Sequence, residues 1–266
     1  MDNIIIMALT ATMGTWFVTA LGAAIVLLIK KPNVKFLNLM LGFSSGVMIA
    51  ASFWSLLQPA IDRAEETLKL PSYFVVTIGF IFGAVFMWIS DKIVYIARNK
   101  ANNSINSNDK KINRIIMLIL SITLHNIPEG LAVGVAFGVL NNNFTPEGLL
   151  SAVSIAIGIA LQNFPEGAAV SLPLRREGFS RCKSFLLGQA SGIVEPISGV
   201  IGAVLVTKVS TILPFALSFA AGTMILVAVH ELIPECQQSK DEQPYMATMG
   251  IISGFATMML LDVMLG

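Results

Sequence analysis

Two hexapeptides of one design stand inside apolar stretches of the chain: His125-Asn126-Ile127-Pro128-Glu129-Gly130 and Gln162-Asn163-Phe164-Pro165-Glu166-Gly167. On a helix, positions i and i+4 share a face, so His125 projects with Glu129, and Gln162 with Glu166. Antiparallel neighbours would turn the two pairs towards each other. Each proline lacks the N–H that would bond the carbonyl four residues back, which frees the C=O of Leu124 and of Leu161. Each following glycine lets a neighbouring helix or an ion come close. A carboxylate in hydrocarbon costs at least about 3 kcal/mol even on the lenient insertion scale. Two of them, each with a neutral nitrogen or oxygen donor one turn away, call for a cation. Imidazole, carboxylate and amide oxygen suit Zn²⁺ and its first-row neighbours, while the missing thiolates argue against a soft-metal site. For a single Asn or Gln, hydrogen-bond glue between helices would be the plainer reading; the duplication of the whole set favours a metal.

A third carboxylate, Glu195 in Gln189-Ala190-Ser191-Gly192-Ile193-Val194-Glu195-Pro196, lies in another apolar stretch with no Lys or Arg at that depth. It would complete or bridge the site; the alternative is a protonated glutamate bonded to a neighbouring hydroxyl. His230-Glu231-Leu232-Ile233-Pro234-Glu235 has the opening of the HExxH helix of zinc proteases, but position 234 is proline and the chain holds only two histidines. At the end of its apolar stretch this cluster fits a release station for an outgoing ion, or an ordinary polar helix terminus. Met48, Ser52 and Met224 stand at helix depth, where they would line a path or simply fill a core. Asp62 and Asp262 fall near the far ends of two stretches, where they would attract cations or do nothing special. The glycine rows 130/134/138, 188/192 and 250/254 mark close helix packing.

The elements that must position these residues are membrane spans. Only 12% of the 266 residues are charged, about half of the roughly 25% usual in a soluble domain. Apolar runs of about twenty residues match about 30 Å of hydrocarbon. Eight spans are expected, over 4–29, 36–60, 72–95, 115–140, 148–172, 184–207, 212–234 and 246–265, in one polytopic membrane domain, 1–266. Both hexapeptides then sit about 15 Å from either end of their spans. The expected breaks are Lys30-Lys31-Pro32, 62–66, 98–114, 141–143, 175–176, 207–211 and 237–244, with residues 96–114 a flexible loop. The first stretch has no basic leader and reads as a retained helix. Fourteen of the seventeen Lys and Arg residues fall in the 1–2, 3–4, 5–6 and 7–8 connections. That makes this side cytoplasmic and both termini extracytoplasmic. A net charge of +1 argues against a nucleic-acid partner, no Gly-x4-Gly-Lys-Ser/Thr loop implicates a nucleotide, and Cys182 and Cys236 make no disulfide framework.

With these features the chain resembles the ZIP family of zinc/iron-regulated metal transporters, of the prokaryotic type. The resemblance rests on the whole chain: eight spans, outward termini, a hydrophilic 3–4 connection and the paired motifs. It implies a metal site from His125, Asn126, Glu129, Gln162, Asn163, Glu166 and Glu195, an inner exit at His230 and Glu231, and Met48 as a pathway methionine. It implies a bundle of helices 1/4/5/6 moving against 2/3/7/8, commonly in a homodimer in the cell membrane. The cargo would be Zn²⁺ taken up into the cytoplasm by alternating access, with Cd²⁺, Fe²⁺, Mn²⁺, Ni²⁺ and Co²⁺ left open, and no organic cofactor. Two alternatives use the same residues: an intramembrane metal-dependent hydrolase with Glu129 or Glu166 as general base, and a metal-selective channel. One departure matters. Some bacterial relatives carry aspartate at the position of Asn163 and hold two metals side by side. With Glu129, Glu166 and Glu195 ionised, one divalent ion leaves a single negative charge, whereas two would leave an excess positive charge in a low-dielectric space. One strong site and at most one weak one are expected.

Overall fold

The structure, a computed structural model, describes residues 2–28, 34–103, 107–141, 144–176, 178–237 and 245–265. Over these residues the chain forms eight helical rods. Helix 1 is Asp2–Leu28, helix 2 covers 34–67, helix 3 is Ser72–Asn103 and helix 4 is Ser107–Val139. Helix 5 is Pro146–Arg176, helix 6 covers 181–208, helix 7 covers 213–237 and helix 8 is Tyr245–Leu265. Among the described residues, seven helices, on rods 1, 2, 3, 5, 6, 7 and 8, are by length and composition apolar enough to cross a membrane.

Some boundaries differ from expectation. Residues 62–66, expected as a break, are helical, and helix 2 runs on to Thr67 before Leu68 turns extended. No glycine or proline stands between Pro59 and Pro71, and the charged segment holds itself together by Arg63 and Glu66 at 3.1 Å and Gln58 and Asp62 at 3.1 Å. Most of 96–114, expected as a loop, is likewise helical, in the last turns of helix 3 and the first of helix 4. Polar as it is, it contains no Gly or Pro to stop a helix. The expected break at Lys30-Lys31-Pro32 lies outside the described residues, as do all but the first residue of the expected breaks 141–143 and 237–244; Asn141 is a turn and Gln237 ends helix 7. Between helices 5 and 6, Gly178 takes φ 92°. The N–H of Gly178 donates to Arg175 O at 3.1 Å and that of Phe179 to Leu174 O at 3.3 Å, the Schellman closure that favours glycine. Ser180 then caps helix 6 by accepting from Lys183 N. The break between helices 6 and 7 falls within the expected 207–211, at Val209, which leaves helical geometry with φ −135° and ψ 79°.

Three helices are irregular, each just before a proline. Helix 2 widens into a π turn over Ser52–Leu57, helix 7 does so over Ala228–Leu232, and helix 6 tightens to 3₁₀ over Ser191–Ile193. The prolines that follow are Pro59, Pro234 and Pro196. Each would clash with the carbonyl four residues back, at Ser55, His230 and Gly192. Each of those carbonyls lies inside the altered turn, so the irregularity relieves the clash.

The rods pair most closely as 1 with 5, 4 with 6, 2 with 8 and 3 with 7. Helix 1 also packs on helix 6, and helix 2 meets helices 5 and 7. In every close pair, glycines from both partners let the backbones touch. Gly134 lies against the Gly199 backbone, and a Cβ at Gly22, Gly46 or Gly83 would meet the backbone of Phe164, Ile251 or Phe219. The glycine rows read from the sequence therefore do mark close contacts. Helix 2 is mostly buried, whereas helices 3 and 8 turn Phe74, Phe82, Trp88, Leu260 and Val263 outward, as hydrocarbon-facing surfaces would.

Candidate metal site

The seven residues named for the site come from helices 4, 5 and 6, and none is more than 7% exposed. The facing of helices 4 and 5 follows the i, i+4 rule at one end of each motif: Gln162 Nε2 donates to Glu129 Oε1 at 2.5 Å. Both motif asparagines turn their amide nitrogens to helix 6. Asn126 Nδ2 donates to Ser191 O at 3.1 Å, and Asn163 Nδ2 to Glu195 Oε2 at 2.8 Å and Thr15 O at 3.3 Å. Each amide oxygen then points the other way. Among the described residues, Asn126 Oδ1, Glu129 Oε2, Gln162 Oε1 and Asn163 Oδ1 are buried and accept no hydrogen bond. Buried acceptors left without donors are costly, and these four oxygens are of the type that a hard or borderline cation takes.

The other two carboxylates are held differently. Glu166 Oε1 accepts from Ser44 Oγ of helix 2 at 2.8 Å. Glu195 Oε2 accepts from Thr15 Oγ1 of helix 1 at 2.5 Å as well as from Asn163, and Oε1 is 3.4 Å from Thr19 Oγ1. The hydroxyl partner named as an alternative for Glu195 is thus present, alongside an amide from the metal motif.

His125 parts from the expected set. Its Nε2 lies 2.7 Å from Glu231 Oε1 on helix 7 and 3.6 Å from Asp91 Oδ1 on helix 3. The three ligand atoms lie within 4.8 Å of one another. Neither Asp91 oxygen nor His125 Nε2 has a well-directed hydrogen bond among the described residues, so this is a second convergence of metal-type ligands. Only one helical turn, about 6 Å of rise, separates His125 from Glu129.

The weaker pointers divide. Met48 and Met224 are both 1% exposed and belong to one apolar core. Ser52 is buried, but its hydroxyl donates to the Met48 carbonyl at 2.7 Å. Asp62 is exposed. Asp262 is half-buried, accepting from Ser55 Oγ at 2.6 Å and Ser154 Oγ at 3.2 Å, with Oδ2 unpartnered. His230 is exposed and does not join Glu231, its chain neighbour, at the His125 cluster.

Sequence reasoning missed Thr15, Ser44 and Asp91. Asp91 carried one usable signal, a carboxylate in the last apolar turns of a span. The hydroxyls carried none, because serine and threonine in apolar helices commonly bond their own backbone.

A family model described as ZIP Zinc transporter matches residues 109–262, which include both hexapeptides, Glu195 and Glu231. The chain is 36% identical to the human zinc transporter ZIP11, over 97% of each chain. It is 35% identical to the zinc transporter ZIPB of Bordetella bronchiseptica, over 93% of this chain and 78% of that one. It is 33% identical to the zinc transporter GufA of Myxococcus xanthus, over 97% and 98%.

Proposed function

The chain belongs to the ZIP family of zinc transporters, and on that premise we propose that it carries Zn²⁺ into the cytoplasm through the paired motifs of helices 4 and 5. The observation that carries this reading is the set of four donor-free oxygens, on Asn126, Glu129, Gln162 and Asn163, buried where the two motifs meet. Glu166 adds a carboxylate beside them. The ligands are neutral amides and carboxylates with one imidazole, a set that exchanges its ion rather than locking it in place, as a carrier requires. Metal entering this set would pass to His125 and on to Asp91 and Glu231, which form the inner station in place of the His230–Glu231 pair.

The remaining parts of the proposal are architectural. All eight rods span the membrane, helix 4 included, with both termini outside. Helices 1, 4, 5 and 6, tied through the 1–5, 4–6 and 1–6 contacts, move as one body against 2, 3, 7 and 8, and the protein works in the cell membrane as a homodimer. Asp262, with Ser55 and Ser154, stands at the far end of the path as an entry point. The hydrolase alternative is disfavoured because, among the described residues, one imidazole reaches the cluster, that of His125, whereas a catalytic zinc usually takes more. The test is Zn²⁺ uptake by liposomes carrying the purified protein, with an indicator inside and no nucleotide. Uptake well above that of protein-free liposomes is expected; uptake equal to theirs contradicts the reading.

A further inference from the structure

Helix 1 supplies none of the expected ligands, yet it presents three fully buried threonines to helix 6, Thr12, Thr15 and Thr19. Thr12 spends its hydroxyl on its own helix, donating to Ala8 O at 2.8 Å. Thr15 does not. Its single hydroxyl hydrogen has two acceptors in reach, the Thr12 carbonyl at 2.9 Å and Glu195 Oε2 at 2.5 Å. The shorter distance is that of an O–H donating to a carboxylate, the stronger of the two bonds. The same carboxylate oxygen also receives the Asn163 amide at 2.8 Å. No Glu195 oxygen is among the unpartnered atoms, whereas Glu129 Oε2 is. Helix 6 is closed down on this face, since a Cβ at Gly199 would meet the Thr12 side chain.

We propose that Thr15 is a positioning residue of the metal site: with Asn163 it occupies the Glu195 carboxylate by hydrogen bonds where a second cation would otherwise bind. The site then holds one ion tightly. The proposal rests on the zinc-site reading above and adds helix 1 to the site without giving it a ligand. Two directed donors on one carboxylate oxygen compete for the lone pairs a metal would use. They also tie helix 6 to helices 1 and 5, so Glu195 keeps its place when the principal ion leaves.

The test is Zn²⁺ binding to purified protein by calorimetry, with stoichiometry by elemental analysis, for the wild type, Thr15→Val and Thr15→Ser. Wild type is expected to bind one ion tightly and a second at least about a hundredfold more weakly. Valine keeps the shape and removes the donor. Losing a hydrogen bond to a charged group is worth on the order of tenfold, so the second ion should bind about tenfold tighter in Thr15→Val. The first should be little changed, and Thr15→Ser should behave as wild type. Equal second-ion affinity in Thr15→Val and wild type overturns the proposal, as does a wild type that already binds two ions alike. If Thr15→Val does not fold, Thr15→Ala removes the same donor at smaller volume. Failure of both to fold while Thr15→Ser folds means a structural hydroxyl only and also overturns it. A wild type that binds no Zn²⁺ contradicts the zinc-site reading itself, a different outcome from a single unchanged site.

Discussion

The two motifs share a pattern and part company at their first residue. Gln162 of helix 5 stays inside, its amide nitrogen on Glu129. His125 of helix 4, at the matching position, leans away to Glu231 and Asp91 on the opposing helices. The second residues, by contrast, behave alike, both asparagines anchoring to helix 6 and leaving their oxygens free. A duplicated motif thus yields two unequal halves, one whose first residue stays with the partner motif and one whose first residue reaches helices 3 and 7; on the proposed reading the first closes the ion site and the second hands the ion on. A buried amide satisfies a neighbouring carboxylate while offering an oxygen, whereas an imidazole reaches two carboxylates at once and links two clusters. The residue type at one position decides which role a half takes.

Among changes that leave both motifs intact, the largest effects should follow from cutting the link on the outgoing side. Glu231→Gln and Asp91→Asn keep shape and remove charge from the His125 cluster. Zn²⁺ uptake is expected to fall about tenfold to a hundredfold, the range for losing a partner that orients a metal-binding histidine, while calorimetry still finds the principal ion bound. Loss of that ion as well would mean that the two halves form one site.

Acid should act next. Imidazole and carboxylates must be deprotonated to bind a metal. Lowering the pH adds protons to the ligands, and the Zn²⁺ dissociation constant rises by about tenfold per unit for each proton displaced, setting in below about pH 6. A dissociation constant flat between pH 7.5 and pH 5 would contradict this ligand set.

A smaller effect tests the inner half. Asn163→Asp removes the amide donor from Glu195 and adds a carboxylate, so two divalent ions would balance four negative charges. Elemental analysis should find about two Zn²⁺ per chain against one in the wild type. An added carboxylate can stay protonated instead, but the metal, the larger local charge, decides the matter at neutral pH. The same stoichiometry and affinities in both forms would show that position 163 is no ligand. The smallest change is expected from Ser44→Ala, which takes one donor from Glu166 and should weaken uptake only a few-fold, in keeping with about 1 kcal/mol for one hydrogen bond.

The rods and the site motifs were legible in the sequence because each has a local cause. Apolar run length gives the spans, the Pro-Glu-Gly triplets mark both motif helices, and the absence of thiolates limits the metal. The break at Val209 could be required from length alone, since a fused rod of about fifty residues exceeds any bilayer. The direction in which His125 turns was not legible, because i, i+4 spacing gives the face of helix 4 but not which neighbour that face meets. Asp91 stands beside Lys92 in the last turns of a span, where the sequence gives no partner for it. Thr15 and Ser44 looked like any hydroxyl that bonds its own helix, as Thr12 and Ser52 do. The π turns at Ser52–Leu57 and Ala228–Leu232 needed packing as well as proline, for Pro128 and Pro165 leave their helices regular.

The central claim is that Zn²⁺ crosses through the paired motifs. Its most direct test is uptake by proteoliposomes of His125→Ala and Glu166→Ala beside the wild type, with folding checked by size-exclusion chromatography. Removing a ligand also removes a buried polar burden, so stability need not fall. The expected result is uptake reduced to the protein-free rate in both variants with the protein still folded. Uptake at the wild-type rate in either one would contradict the account.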